Sequence, residues 1–201
     1  QLKGAESNSD TDDNTNIVLE LTEAKQKFVF TGVKEQPIPA LLRGFSAPVN
    51  LSYEYSRDQL TQLMTRESDG FCRWDAGQQL ALAVIDDAVK AHRNSAEYQI
   101  DQRLVDSCRN LLTDKSLDPA MVALMLRLPS EAYISQLAEM IDVDAIHQAR
   151  NQVRFQLANA LSAEFLSVFN ANQTEGEYQP SAEQIAQRSL KNTCLGYLLL
   201  L

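Results

Sequence analysis

Residue types suited to catalysis or metal binding are few in this 201-residue sequence, which contains two histidines and three cysteines. His92 lies near the end of a predicted helix, where an imidazole can interact favourably with the last free carbonyl groups. His147 has Asp144 three residues before it on the same helical face, with Glu139 and Asp142 further upstream. One imidazole and one carboxylate do not make a zinc site. We therefore predict a capping role for His92 and no metal site at His147.

The other reactive side chains show no catalytic pattern either. Cys72, Cys108 and Cys194 are far apart and fit neither a disulfide framework nor a CxxC metal knuckle, which predicts buried, reduced thiols in a cytoplasmic protein. Asp86 and Asp87 are adjacent, so they point to different sides of their helix and form a surface pair. The sequence has no HExxH, GxSxG, Walker or GxGxxG motif. We predict no catalytic, cofactor-binding or metal-binding residue in this chain.

The segment FCRWDAGQQL contains the only tryptophan of the sequence, Trp74. At helical spacing, Phe71, Trp74 and Gln78 share one face. We predict that Trp74 is a mostly buried aromatic anchor that packs with Phe71 and with Tyr53 or Tyr55 of the preceding strand, at the junction of two domains. Arg73 and Asp75 are predicted to serve local pairing or capping.

The elements that would position these residues change type along the chain. Residues 1–15 are polar and typical of a loop. Residues 16–22 and 27–33 are rich in β-branched and aromatic residues and predict a hairpin, and 49–55 alternate apolar and polar residues as in a strand with one dry face. The connection before that strand contains prolines and Gly44, which suits a turn with positive φ.

Helical spacing begins at Ser56, a predicted N-cap whose capping-box partner is Gln59. Further helix starts are predicted at Asp118-Pro119, at Pro129-Ser130, at Asp142 or Asp144 for a helix reaching about Asn170, and at Pro180-Ser181 with Gln184 as box partner. The sequence thus predicts a mainly α fold. A partial β-sandwich of about three strands precedes a bundle or superhelical domain of stacked antiparallel helix pairs.

Composition limits the partners. The chain has 18 basic and 27 acidic residues, a net charge of −9 and no stripe of Lys and Arg, so nucleic acid is not expected. No apolar run approaches the ~20 residues of a membrane span. The sequence lacks an initiator Met and stops at CLGYLLLL, so we interpret it as a piece of a longer protein. Residues 181–201 should then leave an apolar face open to self-association or fraying.

Two stretches, QPIPALLRGFSAPVNLSYEYS and FCRWDAGQQL, resemble the bacterial aminopeptidase N (alanyl aminopeptidase) family of zinc metallopeptidases. The later DPAMVALMLRLPSE, FNAN and RSLKNTCLGYL fit the same family in the same order, and the resemblance extends over residues 16–201. It implies that residues 1–55 are the end of an immunoglobulin-like β-sandwich domain. Residues 56–201 would be the start of a helical C-terminal domain.

The resemblance also implies where the chemistry lies. The family's HExxH motif, downstream zinc-ligating Glu, GxMEN-type motif and catalytic Tyr all belong upstream, so zinc is expected in the parent and no cofactor in this chain. The chain would be spacer and cavity wall, with the parent's other domains and its peptide substrates as partners. The alternative is a free-standing helical-repeat interaction module, which would require a polar capping helix at the C-terminus. A self-sufficient enzyme is disfavoured because no acid/base or nucleophile constellation is visible.

Overall fold

The computed structural model describes residues 16–173 and 178–201, in two compact units, Gln1–Pro39 and Ala40–Leu201. The predicted polar loop of residues 1–15 lies outside the described residues. In the first unit, residues 16–39 are irregular apart from a single bridge residue, Thr31. A bend occurs where the hairpin turn was predicted, and there the Thr22 N–H donates to Gln26 Oε1 at 3.0 Å.

The predicted strands are not paired into a sheet in the described part of either unit. Their apolar side chains are exposed, for example Val18 by 84% in the first unit and Val49 by 57% in the second. Alternation predicts only that a segment has two different faces. A strand also requires a neighbour that takes up its backbone hydrogen bonds, and apart from the single bridge at Thr31 the described residues form no such ladder at 16–22, 27–33 or 49–55.

The second unit is helical, which confirms the mainly α class. It opens with a short 3-10 turn, Arg43–Phe45, and continues through α-helices. These are α1 Arg57–Arg66, α2 Gly70–Arg93, α3 Gln102–Thr113, α4 Pro119–Met125, α5 Glu131–Leu137, α6 Val143–Ala160, α7 Ser162–Ala171 and α8 Ala182–Leu198.

The predicted helix starts are largely confirmed. Ser56 Oγ accepts from the Gln59 N–H at 3.2 Å, and Gln59 Oε1 accepts from the Ser56 N–H at 2.9 Å, which completes a capping box. Side-chain caps also begin α4, α5 and α6, from Asp118, Ser130 and Asp142. The sequence was thus sufficient to place these starts because each cap lies within three residues of its partner.

At the start of α8 the prediction of a capping box is wrong, although the cap residue itself is correct. Ser181 Oγ accepts from the Gln184 N–H at 3.2 Å as expected. The side-chain oxygen Oε1 of Gln184, however, accepts from the Gln179 N–H at 2.9 Å and not from the Ser181 N–H, as a capping box would require. Gln184 therefore ties down the segment before the helix.

The predicted single helix from Asp142 to about Asn170 is two helices, since Leu161 departs from helical geometry at φ −123° and ψ 20°. A side chain of α3 meets the chain at this break. Arg109 Nε donates to Glu164 Oε1 at 2.8 Å, and its Nη2 lies 3.5 Å from the Ala160 carbonyl. The break thus coincides with a tertiary contact that local sequence does not reveal.

The core of the second unit surrounds α2, which packs against α1, α4, α6 and the 3-10 turn, while α8 packs against α4 and α7. Leu80, Val84 and Ile85 of α2 are completely buried. The apolar residues of α3, which recur at helical spacing, are also buried: Leu104, Val105, Cys108, Leu111 and Leu112.

The start of α2 and the 3-10 turn share one carboxylate. Asp69 caps α2 by accepting from the Cys72 N–H, and it also accepts from the Gly44 N–H, both at 2.9 Å. Gly44 has φ +64°, as predicted from its place in the turn. Burial acts to raise the pKa of Asp69, but the two backbone donors hold it below its usual value, so the carboxylate stays charged.

Candidate binding groove

A groove of about 290 Å³ lies between α2, α4 and α5. Trp74 and Gln78 of α2 form one wall, and Leu124 of α4 and Tyr133 of α5 form others. Its base is the connection from α4 to α5, residues 126–130, which contributes Arg127, Leu128, Pro129 and Ser130 to the lining. Aromatic walls with a few polar groups are typical of ligand sites.

The connection at the base is held by side chains from three helices. Tyr197 of α8 donates its buried hydroxyl to the Leu126 carbonyl at 2.7 Å. Gln78 Nε2 of α2 donates to the Arg127 carbonyl at 2.9 Å, and Arg150 Nε of α6 donates to the Pro129 carbonyl at 2.7 Å. The backbone beneath the groove is therefore fixed before any ligand arrives.

Trp74 is mostly buried, as predicted, but it is not part of a closed core. The part of its side chain that remains accessible forms a groove wall. Its contact with Phe71 is present, with ring centroids 6.2 Å apart, and Gln78 shares its face as predicted. Tyr55 instead lines a small cavity with Cys72 and Asp75, on another side of α2. The spacing gave the correct face but could not show that this face stays open.

The charge of the groove is positive and uncompensated. Arg127 is exposed, and no carboxylate of the described residues lies within ion-pair distance of its guanidinium. None of the lining residues is acidic. Behind the connection, burial and the neighbouring Arg154 lower the pKa of Arg150, although it remains a cation.

The histidines take positions close to those expected. His92 lies in the last turn of α2, as predicted. His147 Nδ1 is 3.0 Å from Glu131 Oε1, and its Nε2 is 3.0 Å from the amide nitrogen of Asn151, so Asp144 is not its partner. In the part of the chain that the structure describes, no three His, Cys, Asp or Glu residues come together to hold a metal.

The charged residues around Trp74 serve the helices, as predicted. Arg73 donates to the Met64 carbonyl at 3.1 Å and so caps the end of α1, and Asp75 accepts from Gln79 at 2.7 Å. Asp86 and Asp87 do face different partners. Asp86 pairs with Lys90, and Asp87 pairs with Arg57, each at 2.6 Å.

The cysteines are buried and unpaired. Burial raises the pKa of the Cys108 and Cys194 thiols to about 12. Burial and the neighbouring Asp69 do the same for Cys72, whose Sγ is 3.2 Å from the Leu41 carbonyl. These thiols are protonated at neutral pH and therefore poor nucleophiles and metal ligands.

Sequence reasoning identified one wall of the groove and missed its base. The residues that shape the connection are separated from it by 49 positions for Gln78 and by 71 for Tyr197. The only local signal was the Pro129-Ser130 helix start, which was interpreted as a cap alone.

Two family models cover most of the chain. One, described as "Domain of unknown function (DUF3458_C) ARM repeats", matches residues 57–201, and the other, "Domain of unknown function (DUF3458) Ig-like fold", matches residues 2–54. Over 91% of its length the chain is 42% identical to aminopeptidase N of Escherichia coli K12. The chain belongs to the aminopeptidase N family. The resemblance drawn from the sequence motifs is thereby confirmed.

Other members of the aminopeptidase N family give the same result. The chain is 35% identical over 181 residues to aminopeptidase N of Haemophilus influenzae and 34% identical over 182 residues to that of Caulobacter vibrioides. A crystal structure of Legionella pneumophila aminopeptidase A in complex with aspartic acid matches 88% of this chain with a TM-score of 0.73 and 29% identity. The chain spans about a fifth of the length of these proteins, since it covers 20–21% of each.

Proposed function

We propose that this chain is the non-catalytic spacer and cavity wall of a zinc-dependent aminopeptidase that removes N-terminal amino acids from peptides. The observation that carries the proposal is the 42% identity to aminopeptidase N of Escherichia coli over 91% of this chain but only 21% of that protein. The helical unit supplies an extended, well-packed surface and no catalytic constellation among its described residues.

The residues that the structure describes do not fit a zinc ion. A zinc site needs imidazole, thiolate or carboxylate ligands that converge on one point. Both ring nitrogens of His147 already have partners, and the thiols of Cys72, Cys108 and Cys194 are protonated and lie apart. We therefore assign the metal and the bond-breaking step to domains outside this chain.

The part that remains for this chain is positioning and exclusion of water. A rigid helical wall limits access to the site and strengthens the electrostatic interactions within it. We further propose that residues 1–55 belong to an immunoglobulin-like β-sandwich and residues 56–201 to the helical domain. The two family models, which meet between residues 54 and 57, support this division. A cytoplasmic location is proposed from the three unpaired, buried cysteines.

The coding sequence around this segment tests the proposal. We expect an HExxH motif, followed by a further Glu ligand, in the reading frame upstream of residue 1. An open reading frame that continues upstream without such a motif would contradict it. The free-standing interaction module would then be favoured, with the armadillo-repeat description of residues 57–201 in its support.

A further inference from the structure

We propose that the groove between α2, α4 and α5 binds an extended peptide segment in which a large apolar residue is followed by Asp or Glu. The apolar side chain packs against Trp74 and Tyr133, and the carboxylate pairs with Arg127. This binding needs neither zinc nor the catalytic site, so it goes beyond the proposed function and can be tested separately from it.

The apolar half of the groove matches one large side chain. Trp74 is partly exposed, and Leu124 and Tyr133 are 42% and 45% exposed, so apolar and aromatic surface is open on both sides of the cavity. Pro129 is buried beneath it. A volume of about 290 Å³ lies at the lower limit of small-ligand pockets, which suits a side chain and its adjoining backbone. Aromatic surfaces of this kind contribute much of the energy of peptide recognition.

The polar half of the groove selects for a negative charge. Arg127 provides the only charge among the lining residues, in a chain whose net charge is −9. Its backbone carbonyl is fixed by Gln78, so the residue starts from a defined position. A guanidinium forms paired hydrogen bonds with a carboxylate, which gives both attraction and orientation.

The carboxylate comes from an internal side chain rather than from a peptide C-terminus. Sites for a chain terminus usually offer a nest of free backbone N–H groups. Here the N–H groups of Leu126 and Arg127 already donate to the carbonyls of Val122 and Leu124, and Pro129 has no N–H, so no two consecutive residues of the connection 126–130 can offer a nest. A single guanidinium at an open groove therefore suits an acidic side chain of a peptide that passes through.

Intrinsic fluorescence reports this binding directly, because Trp74 is the only tryptophan of the chain. The probe is the blocked peptide acetyl-Ala-Phe-Glu-Ala-amide, titrated into the 201-residue protein. Three comparison peptides are titrated in the same way: the same peptide with Gln for Glu, the same peptide with Ala for Phe, and acetyl-Ala-Phe with a free carboxyl group. We expect a saturable change of Trp74 emission with the first peptide and roughly 5–10-fold weaker binding of each matched peptide.

Two variants assign the effect to the groove. Arg127→Gln should abolish the preference for Glu over Gln, while Arg66→Gln should keep it, because Arg66 is also exposed but does not line the groove. Tyr133→Ala should weaken the binding of the Phe-Glu and the Phe-Gln peptide alike. The proposal is overturned by an unchanged emission at millimolar peptide, by equal affinity for the Glu and Gln peptides, or by tighter binding of the free-carboxyl probe. It is also overturned if Arg127→Gln keeps the preference for the Glu peptide over the Gln peptide to the same extent as Arg66→Gln.

Discussion

Single residues fix where the helices begin, and Ser56 is the most complete case. Its hydroxyl and the side chain of Gln59 satisfy two backbone N–H groups that the helix itself leaves free. Ser56→Ala should lower the free energy of unfolding by ~1 kcal/mol, measured by urea denaturation.

Ser167→Ala is the matched control. Ser167 is an exposed residue inside α7 for which alanine is the better helix former, so stability should stay constant or rise slightly. Equal losses in the two variants would show that the capping box does not stabilise α1.

The buried thiols and the buried hydroxyl of Tyr197 should make the free energy of unfolding fall at alkaline pH. Burial raises the pKa of Cys108 and Cys194 to about 12, against ~8.5 in an unfolded chain. Burial also raises the pKa of the Tyr197 hydroxyl. Above pH ~8.5 the unfolded chain releases protons that the folded chain keeps, so stability is complete below this pH and falls as pH rises, by up to ~1.4 kcal/mol per pH unit for each group.

Urea denaturation at several pH values from 7 to 10.5 measures this dependence. Cys108→Ala will be less stable at every pH because it leaves a cavity. Above pH ~9, however, its free energy of unfolding should fall less steeply with pH, because the contribution of one thiol is missing. A flat profile from pH 8 to 10.5 in the parent chain would contradict the assignment.

At the residue scale the sequence was informative wherever the partner is close in the chain. Ser56, Asp118, Ser130 and Asp142 each accept from the N–H group three positions ahead, and each was predicted as a cap. The partner of His147 was not, because Glu131 lies 16 positions away on another helix.

At the scale of elements, periodicity predicted the helices, whereas the predicted strands are not paired into a sheet among the described residues. A helix satisfies its own backbone, so its apolar spacing is nearly sufficient evidence for it. A strand depends on its neighbours, and the alternating residues Val49, Leu51 and Tyr53 have none among the described residues to pair with. The α6–α7 break was missed for a similar reason, since the Arg109 contacts that accompany it come from α3.

The apolar residues of α8 lie on two faces rather than on the one broad face predicted. Leu190, Cys194 and Tyr197 are buried, whereas Ile185, Leu195 and Leu199 are exposed, Leu199 by 76%. The exposed leucines predict self-association of the chain through this helix. Light scattering over a concentration series should show a rising average mass, and Leu195→Gln with Leu199→Gln should abolish the rise.

The control for this prediction keeps the buried face intact. Leu124→Gln changes another exposed leucine, 42% accessible, on α4 and should leave the association unchanged. A constant monomer mass in the parent chain at all concentrations would show that the exposed face of α8 does not drive association.

At the scale of the whole molecule, the candidate site depends on distant parts of the sequence. Its walls come from α2, α4 and α5, and its base is held by Tyr197, Gln78 and Arg150 from three helices. No local pattern links these residues, so the sequence alone gave Trp74 and Gln78 but not the groove. The family, in contrast, was evident from motifs, because motifs record relatedness without requiring the packing to be known.

The central claim is that this chain forms wall and spacer, while the chemistry lies elsewhere in the protein. The most direct test measures zinc content and hydrolysis of an alanyl anilide by the purified 201-residue chain. We expect no stoichiometric zinc after dialysis and no hydrolysis above the buffer rate, because the described residues bring no zinc ligand set together. Tightly held zinc at one ion per chain, or hydrolysis that copurifies with the chain and is abolished by a chelator, would contradict the account.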